Sequence, residues 1–197
     1  MNNISLLIVE NAKSLNKIVS HELTGLGYIC SSAFSLKNIK VEISKKRFDY
    51  IVLNLYLQDA QEEDLIKSIT SISDAKIIVL TSAMNDKLRD KIFRCGILDY
   101  LYKQNIEKTI NDIHTLVQNV EKNSLSNVLI IDDSRTVRLK IKAILGMRNF
   151  NVIGSPTGKI GLEIIEKQKI DLVILDMELE DMHGLEVLHK IKSDLKN

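Results

Sequence analysis

Cysteine is scarce: the 197 residues include two, Cys30 and Cys95, with neither the density of a disulfide framework nor CxxC spacing. That predicts a reduced, cytoplasmic protein with both thiols buried and inert. Long apolar runs are missing as well. The aliphatic stretches stop at four or five residues, as at Leu6–Val9 and Val128–Ile131, far short of a membrane span. The opening residues carry no basic region and reach an acid at Glu10, which argues against a secretion signal. Charge of one sign is also lacking. With 27 basic and 26 acidic side chains the net charge is +1, so nothing marks a direct nucleic-acid binder. What is present is globular: 45% hydrophobic and 27% charged residues exclude disorder and collagen-like repeats. The length allows one large domain or two small ones.

An internal repeat organises the chain. Sliding the sequence against itself by 122 residues, without a gap, lays Ile4–Glu10 on Ser126–Asp132. At the same offset Lys13 meets Arg135, Leu23 meets Leu145, Asp49 meets Asp171, Asn54 meets Asp176 and Asp59 meets Asp181. The expected organisation is one whole unit, 1–122, and the first part of a second, 127–197. In the first unit, short apolar runs at 6–9, 28–33, 49–53, 76–80 and 99–102 alternate with helical patterns, the last of them striped by Ile106, Ile110, Ile113, Val117 and Val120. Runs too apolar to alternate, each followed by a helix, predict an α/β fold: a doubly wound five-stranded parallel sheet covered on both faces. The second unit repeats this through its third strand and a helix at 184–195. A three-stranded half-sheet leaves a central strand as a bare edge. We expect either a piece of a longer protein or completion by pairing with a second copy, a homodimer.

Sites in open parallel sheets form at the carboxyl ends of the strands. Asp132 and Asp133 follow the second unit's first strand, and Asp176 follows its third. Neighbouring strands would gather three carboxylates into one pocket, where they repel one another unless a cation sits among them. Oxygen ligands of this kind suit Mg²⁺. A carboxylate beside such an ion can attack phosphorus and become an aspartyl phosphate.

The segments VLIIDDSRTVR (128–138) and DLVILDMELEDMHGLEVL (171–188) resemble the receiver domain of two-component response regulators, down to the glycine eight residues after Asp176. The resemblance covers essentially the whole chain as two tandem receivers of flavodoxin-like fold. It implies that Asp176 is the phosphoacceptor and that Asp132 and Asp133 hold Mg²⁺, Asp133 the more directly, with Asp176 also a ligand. The backbone carbonyl of Glu178 would be a further ligand, and Glu180 stands where the family commonly has proline. A hydroxyl residue ending the fourth strand and a lysine ending the fifth complete the family's machinery. Counterparts of both in the second unit would lie past residue 197. The first unit has them, as Thr81 and Lys103, with Tyr100 at the aromatic switch position. Its acids have decayed: Glu10 is a longer acid, Asn11 replaces the second, and Asn54 occupies the phosphoacceptor position. An amide has no anionic oxygen with which to attack phosphorus. The first unit therefore reads as a degenerate receiver in which Lys103 pairs with Glu10.

Other signals fail. Gly154–Lys159 is one residue short of a phosphate loop and reads as a strand-to-helix turn. The acids from Asp176 onward lack the glycine of an EF-hand at Asp181. Lys45, Lys46 and Arg47 read as a solvated helix end. His21, His114, His183 and His189 show no metal-ligand grouping and are expected in ordinary surface roles. Asp132, Asp133 and Ser134 alone could be no more than a helix cap. The resulting expectation is phosphorelay signalling: a sensor histidine kinase or phosphotransfer protein phosphorylates Asp176, and the first unit serves as an interaction or dimerisation adaptor. By resemblance the output is a diguanylate cyclase of the GGDEF type, with a DNA-binding output as the alternative. The rivals are a non-phosphorylated receiver-like scaffold and, more remotely, a phosphohydrolase.

Overall fold

The computed structural model describes residues 4–60, 62–82 and 86–194. The chain forms two compact units, divided between Val117 and Gln118. The first contains β1 (Ser5–Val9), α1 (Lys13–Gly25), β2 (Ile29–Ala33), α2 (Leu36–Lys45), β3 (Tyr50–Asn54), α3 (Glu62–Thr70), β4 (Lys76–Thr81), α4 (Asp86–Arg94) and β5 (Asp99–Tyr102). The helix α5 (Ile106–Asn123) follows and carries the division. All five strands are parallel in the order β2-β1-β3-β4-β5, the doubly wound, flavodoxin-like arrangement. Every residue of β3, and all but the first of β1 and β4, is buried. Covered on both faces, these strands could not alternate apolar with polar residues, which explains their continuous apolar runs. Leu7, Val9, Ile51, Leu53, Ile77 and Val79 pack with Leu65, Ile66, Ile69 and Ile92 on one side of the sheet.

The second unit holds β6 (Asn127–Ile131), α6 (Arg135–Met147), β7 (Asn151–Ser155), α7 (Gly158–Lys167), β8 (Leu172–Leu175) and α8 (Gly184–Asp194). Each element starts 122 residues after its counterpart in the first unit. Its parallel sheet runs β7-β6-β8. The expected α8 end at residue 195 lies outside the described residues. As an edge strand β8 stays partly open, Leu172 being 52% exposed where its counterpart Tyr50 in β3 is fully buried.

Local chemistry sets the element boundaries. The expected strands beginning at Tyr28 and Phe150 start one residue later. The N–H of each closes the preceding helix on Leu23 and Leu145 respectively. The turn between helix and strand needs a left-handed residue, supplied by Gly27 (φ 93°) and, in the second unit, by Asn149 (φ 65°). Ser35 and Thr157 cap α2 and α7 by accepting the N–H groups of Asn38 and Ile160. Thr157 thereby makes Gly154–Lys159 the expected strand-to-helix turn. Among the described residues, no helix is long and apolar enough to cross a membrane.

Candidate functional site

Both units place their candidate residues where the first and third strands end side by side. Ile131 pairs with Leu175 in register, so the residues that follow, Asp132 and Asp176, emerge as neighbours. Oxygens of Asp132, Asp133 and Asp176 all lie within 4.8 Å of one another. Asp132 is buried, Asp176 half-buried and Asp133 exposed, so the cluster runs from the sheet end to solvent. The Ser134 N–H donates to Asp132 Oδ1 at 2.8 Å, and the Glu178 N–H to Asp176 Oδ1 at 3.3 Å. Ser134 also caps α6 through its hydroxyl, so the capping reading and the acidic cluster coexist in one turn.

Among the described residues, no Lys or Arg side chain forms an ion pair with these three carboxylates. Arg138 comes near but donates to the main-chain oxygens of Asp132 and Asp133, at 2.6 and 2.9 Å. Three close carboxylates without a counter-charge, one of them buried, suit a hard divalent cation that keeps part of its water shell. The residues therefore fit Mg²⁺. Behind them, Gly184 is held by its N–H on Met177 O. A Cβ at Gly184 would sit 2.4 Å from Asp176 O and 2.8 Å from Met177 Cα, so only glycine lets α8 begin this close to the acid.

The first unit uses the same positions differently. Lys103 Nζ reaches Glu10 Oε2 at 2.6 Å, and Asn54 Nδ2 donates to both Glu10 oxygens at 3.0 Å. The Ala12 N–H adds a fourth contact at 3.1 Å. Glu10 and Asn54 are buried. Asn54 Oδ1 accepts the Tyr56 N–H, and Asn11 Nδ2 donates to Tyr56 O. Thr81 is fully buried at the end of β4, and its carbonyl accepts the Lys103 N–H. Tyr100 is half-buried against the core. The single remaining acid of this pocket is thus already ion-paired and hydrogen-bonded by the protein.

Five positions depart from the sequence expectations or escape them. Cys30 and Cys95 are half-buried rather than buried, because β2 is an edge strand and Cys95 sits at the end of α4. Burial still pushes the Cys30 thiol up, outweighing a Thr24 hydrogen bond and the charge of Lys46. His114 is no plain surface residue: its Nδ1 lies 2.8 Å from Tyr28 Oη, with the rings edge to face. Asp59 and Asp181, which coincide in the repeat, turn out to be anchors for helix starts. Asp59 accepts the N–H groups of Leu36 and Lys37, and Asp181 those of Gly158 and Lys159. Their identity across the offset was the signal that could have revealed them.

Comparison with known proteins bears on the family and the fold. The family model for the response regulator receiver domain matches residues 6–115 and 128–197. Sporulation initiation phosphotransferase F of Bacillus subtilis is 31% identical over 65 residues, covering 33% of this chain and 52% of that protein. The chain thus matches about half the length of that relative. A solved two-component system response regulator/GGDEF domain protein superposes with a TM-score of 0.75 at 20% identity, over 96% of this chain and 77% of that one. Chemotaxis protein CheY4 of Vibrio cholerae superposes with a TM-score of 0.51 at 21% identity, over 57% of this chain and 97% of that one.

Proposed function

Because the chain belongs to the response regulator receiver family of two-component signalling, we propose that its second unit receives a phosphoryl group on Asp176. The supporting observation is the cluster of Asp132, Asp133 and Asp176 with no cationic side chain ion-paired to it among the described residues. Asp176 Oδ1 accepts the Glu178 N–H at 3.3 Å, and in this proposal the other oxygen, Oδ2, attacks. In transfer from a phosphohistidine, Oδ2 bonds to phosphorus as the phosphorus–nitrogen bond breaks, and the imidazole leaves as the other product. Asp132, Asp133 and Asp176, with the carbonyl of Glu178, would hold Mg²⁺, Asp133 from the solvent side. When bound, that ion neutralises charge on the transferring group. The phosphodonor is a sensor histidine kinase or phosphotransfer protein, and the reaction runs in the cytoplasm.

The first unit, 1–122 in this reading, takes no phosphoryl group. Asn54 has no anionic oxygen, and Lys103 already neutralises Glu10. Its role is that of an interaction or dimerisation adaptor, and a receiver-like scaffold is the reading its closed pocket favours for this unit alone. For the output we propose a diguanylate cyclase, on the strength of the GGDEF protein that superposes on the chain.

The test is intact-mass analysis after incubation with Mg²⁺ and acetyl phosphate, on this chain, on a version extended through a whole second receiver, and on their Asp176→Asn variants. A single phosphoryl adduct on the extended protein, lost in its variant, is the expected result. A folded extended protein that gains no adduct overturns the proposal and leaves the scaffold reading for both units.

A further inference from the structure

The acid turn of the second unit is held from behind by Arg138, a residue that the repeat offset places opposite Asn16. The two side chains do different work. Asn16 is buried and donates to Ile8 O and Ala33 O, tying β1 to β2 beneath a pocket that has lost its acids. Arg138 reaches six and five residues back along the chain, and one nitrogen, Nη1, donates to Asp132 O at 2.6 Å and to Asp133 O at 2.9 Å. Beneath the arginine β7 carries Gly154, where the first unit has Ser32, and a Cβ there would make only ordinary contact with the arginine. The nearest atoms to a Cβ built there are Arg138 Cδ at 3.5 Å and Nε at 3.8 Å.

The consequence differs for the two acids. Asp132 is fixed at both ends, its carboxylate by the Ser134 N–H and its carbonyl by Arg138. Asp133 is exposed, and among the described residues none donates a hydrogen bond to its carboxylate. Its direction is therefore set through its main chain, and Arg138 grips that main chain. By binding carbonyls, the guanidinium also leaves carboxylate lone pairs free for a cation.

We propose that Arg138 is a positioning residue for the divalent-cation site: it orders the Asp132–Asp133 turn so that the Asp133 carboxylate faces Asp176. This rests on the cation role proposed above for the three acids. Two effects of the arginine oppose each other. Its positive charge repels a cation, whereas its hydrogen bonds pre-organise the ligands, and supporting contacts of this kind typically carry about ten-fold or more in metal affinity. The proposal is that the second effect wins.

The experiment uses the whole 197-residue chain and its Arg138→Met and Arg138→Lys variants. Mn²⁺ affinity is measured by paramagnetic line broadening, and protection of the Asp133 and Ser134 amides by hydrogen exchange. Arg138→Met is expected to bind Mn²⁺ about ten-fold more weakly, with those amides exchanging faster and the β6 and β7 amides unchanged. Arg138→Lys, which keeps charge and one donor, should recover part of the affinity. Equal or tighter binding by Arg138→Met would overturn the proposal, showing that charge outweighs positioning. If the parent chain binds no Mn²⁺, the cation reading of the three acids fails. In that case unchanged amide protection in Arg138→Met removes the turn-ordering role as well, whereas faster exchange retains it.

Discussion

Lys103 and Glu10 are 93 residues apart in sequence, yet Lys103 Nζ lies 2.6 Å from Glu10 Oε2 across the carboxyl ends of the sheet. The contact gives a buried acid its counter-charge. It also separates the two units chemically: one pocket is neutralised by its own lysine, and the other gathers three carboxylates with no cationic side chain ion-paired to them among the described residues. A receiver pocket that has lost two acids retains a lysine with a single acid to serve.

Replacing Lys103 with methionine strands the Glu10 carboxylate, whose side chain is 7% exposed, on the Asn54 amide and the Ala12 N–H. The expected loss is about 2–3 kcal/mol, less than for a fully buried pair because Lys103 keeps some contact with water. All five tyrosines precede residue 118, so tyrosine fluorescence in a urea titration reports on the first unit alone. The Lys103→Met,Glu10→Gln double variant should recover much of the loss. An unchanged midpoint in Lys103→Met would show that the pair contributes nothing.

Asn54→Asp restores the acid that the repeat places opposite Asp176, but in the wrong surroundings. It removes two hydrogen bonds donated to Glu10 and sets a second carboxylate against it. We expect destabilisation of about 2 kcal/mol at neutral pH, shrinking as acidification protonates one of the pair. Added Mg²⁺ should restore only part of it, because Asn11 offers no third carboxylate. Urea midpoints at pH 7 and pH 4, with and without Mg²⁺, measure this. Full stability at pH 7 without the ion would contradict it.

What the sequence made legible followed from strong local signals. Continuous apolar runs can be satisfied only by strands covered on both faces, and β1, β3 and β4 are such strands. Asp132, Asp133 and Asp176 were readable because strand ends in a parallel sheet converge, and the 122-residue offset fixed which ends matched. Arg138 was not readable in this way. Its contacts are with main-chain carbonyls, which carry no sequence signature, and its position in the first unit holds an unlike residue, Asn16. The Tyr28–His114 contact depends on how α5 packs over 86 residues of intervening chain, which periodicity does not encode. The half-exposure of Cys30 reflects the edge position of β2, a matter of strand order rather than of apolar pattern.

Acid sensitivity should enter through Asp59 and Asp181. The Leu36 N–H, with that of Lys37, holds the Asp59 carboxyl below its ordinary value, and the Lys159 N–H, with that of Gly158, does the same for Asp181. Both groups thus bind protons less readily folded than unfolded. Their contribution is complete above the ordinary value of 3.8 and is lost as pH falls through the lower folded values. Solvent exposure keeps each to about 1 kcal/mol. The urea midpoints of Asp59→Asn and Asp181→Asn should fall below the parent at pH 7 and converge with it in strong acid. A gap independent of pH would assign the loss to packing.

Gly184→Ala tests whether the start of α8 sets the position of Asp176. The added methyl would approach the Asp176 carbonyl at 2.4 Å and Met177 Cα at 2.8 Å, and both obstacles are backbone. No side-chain rotation can relieve that contact, so either α8 moves out or the residues after β8 move in. We expect about 2 kcal/mol of destabilisation. Where the strand end moves, Asp176 shifts relative to Asp132 and phosphoryl uptake falls further than stability does. Where the helix moves, stability falls and uptake by the folded fraction stays. Measuring thermal stability and the mass adduct on the same extended protein separates these cases, and parent-like values of both would show that the contact is relieved at no cost.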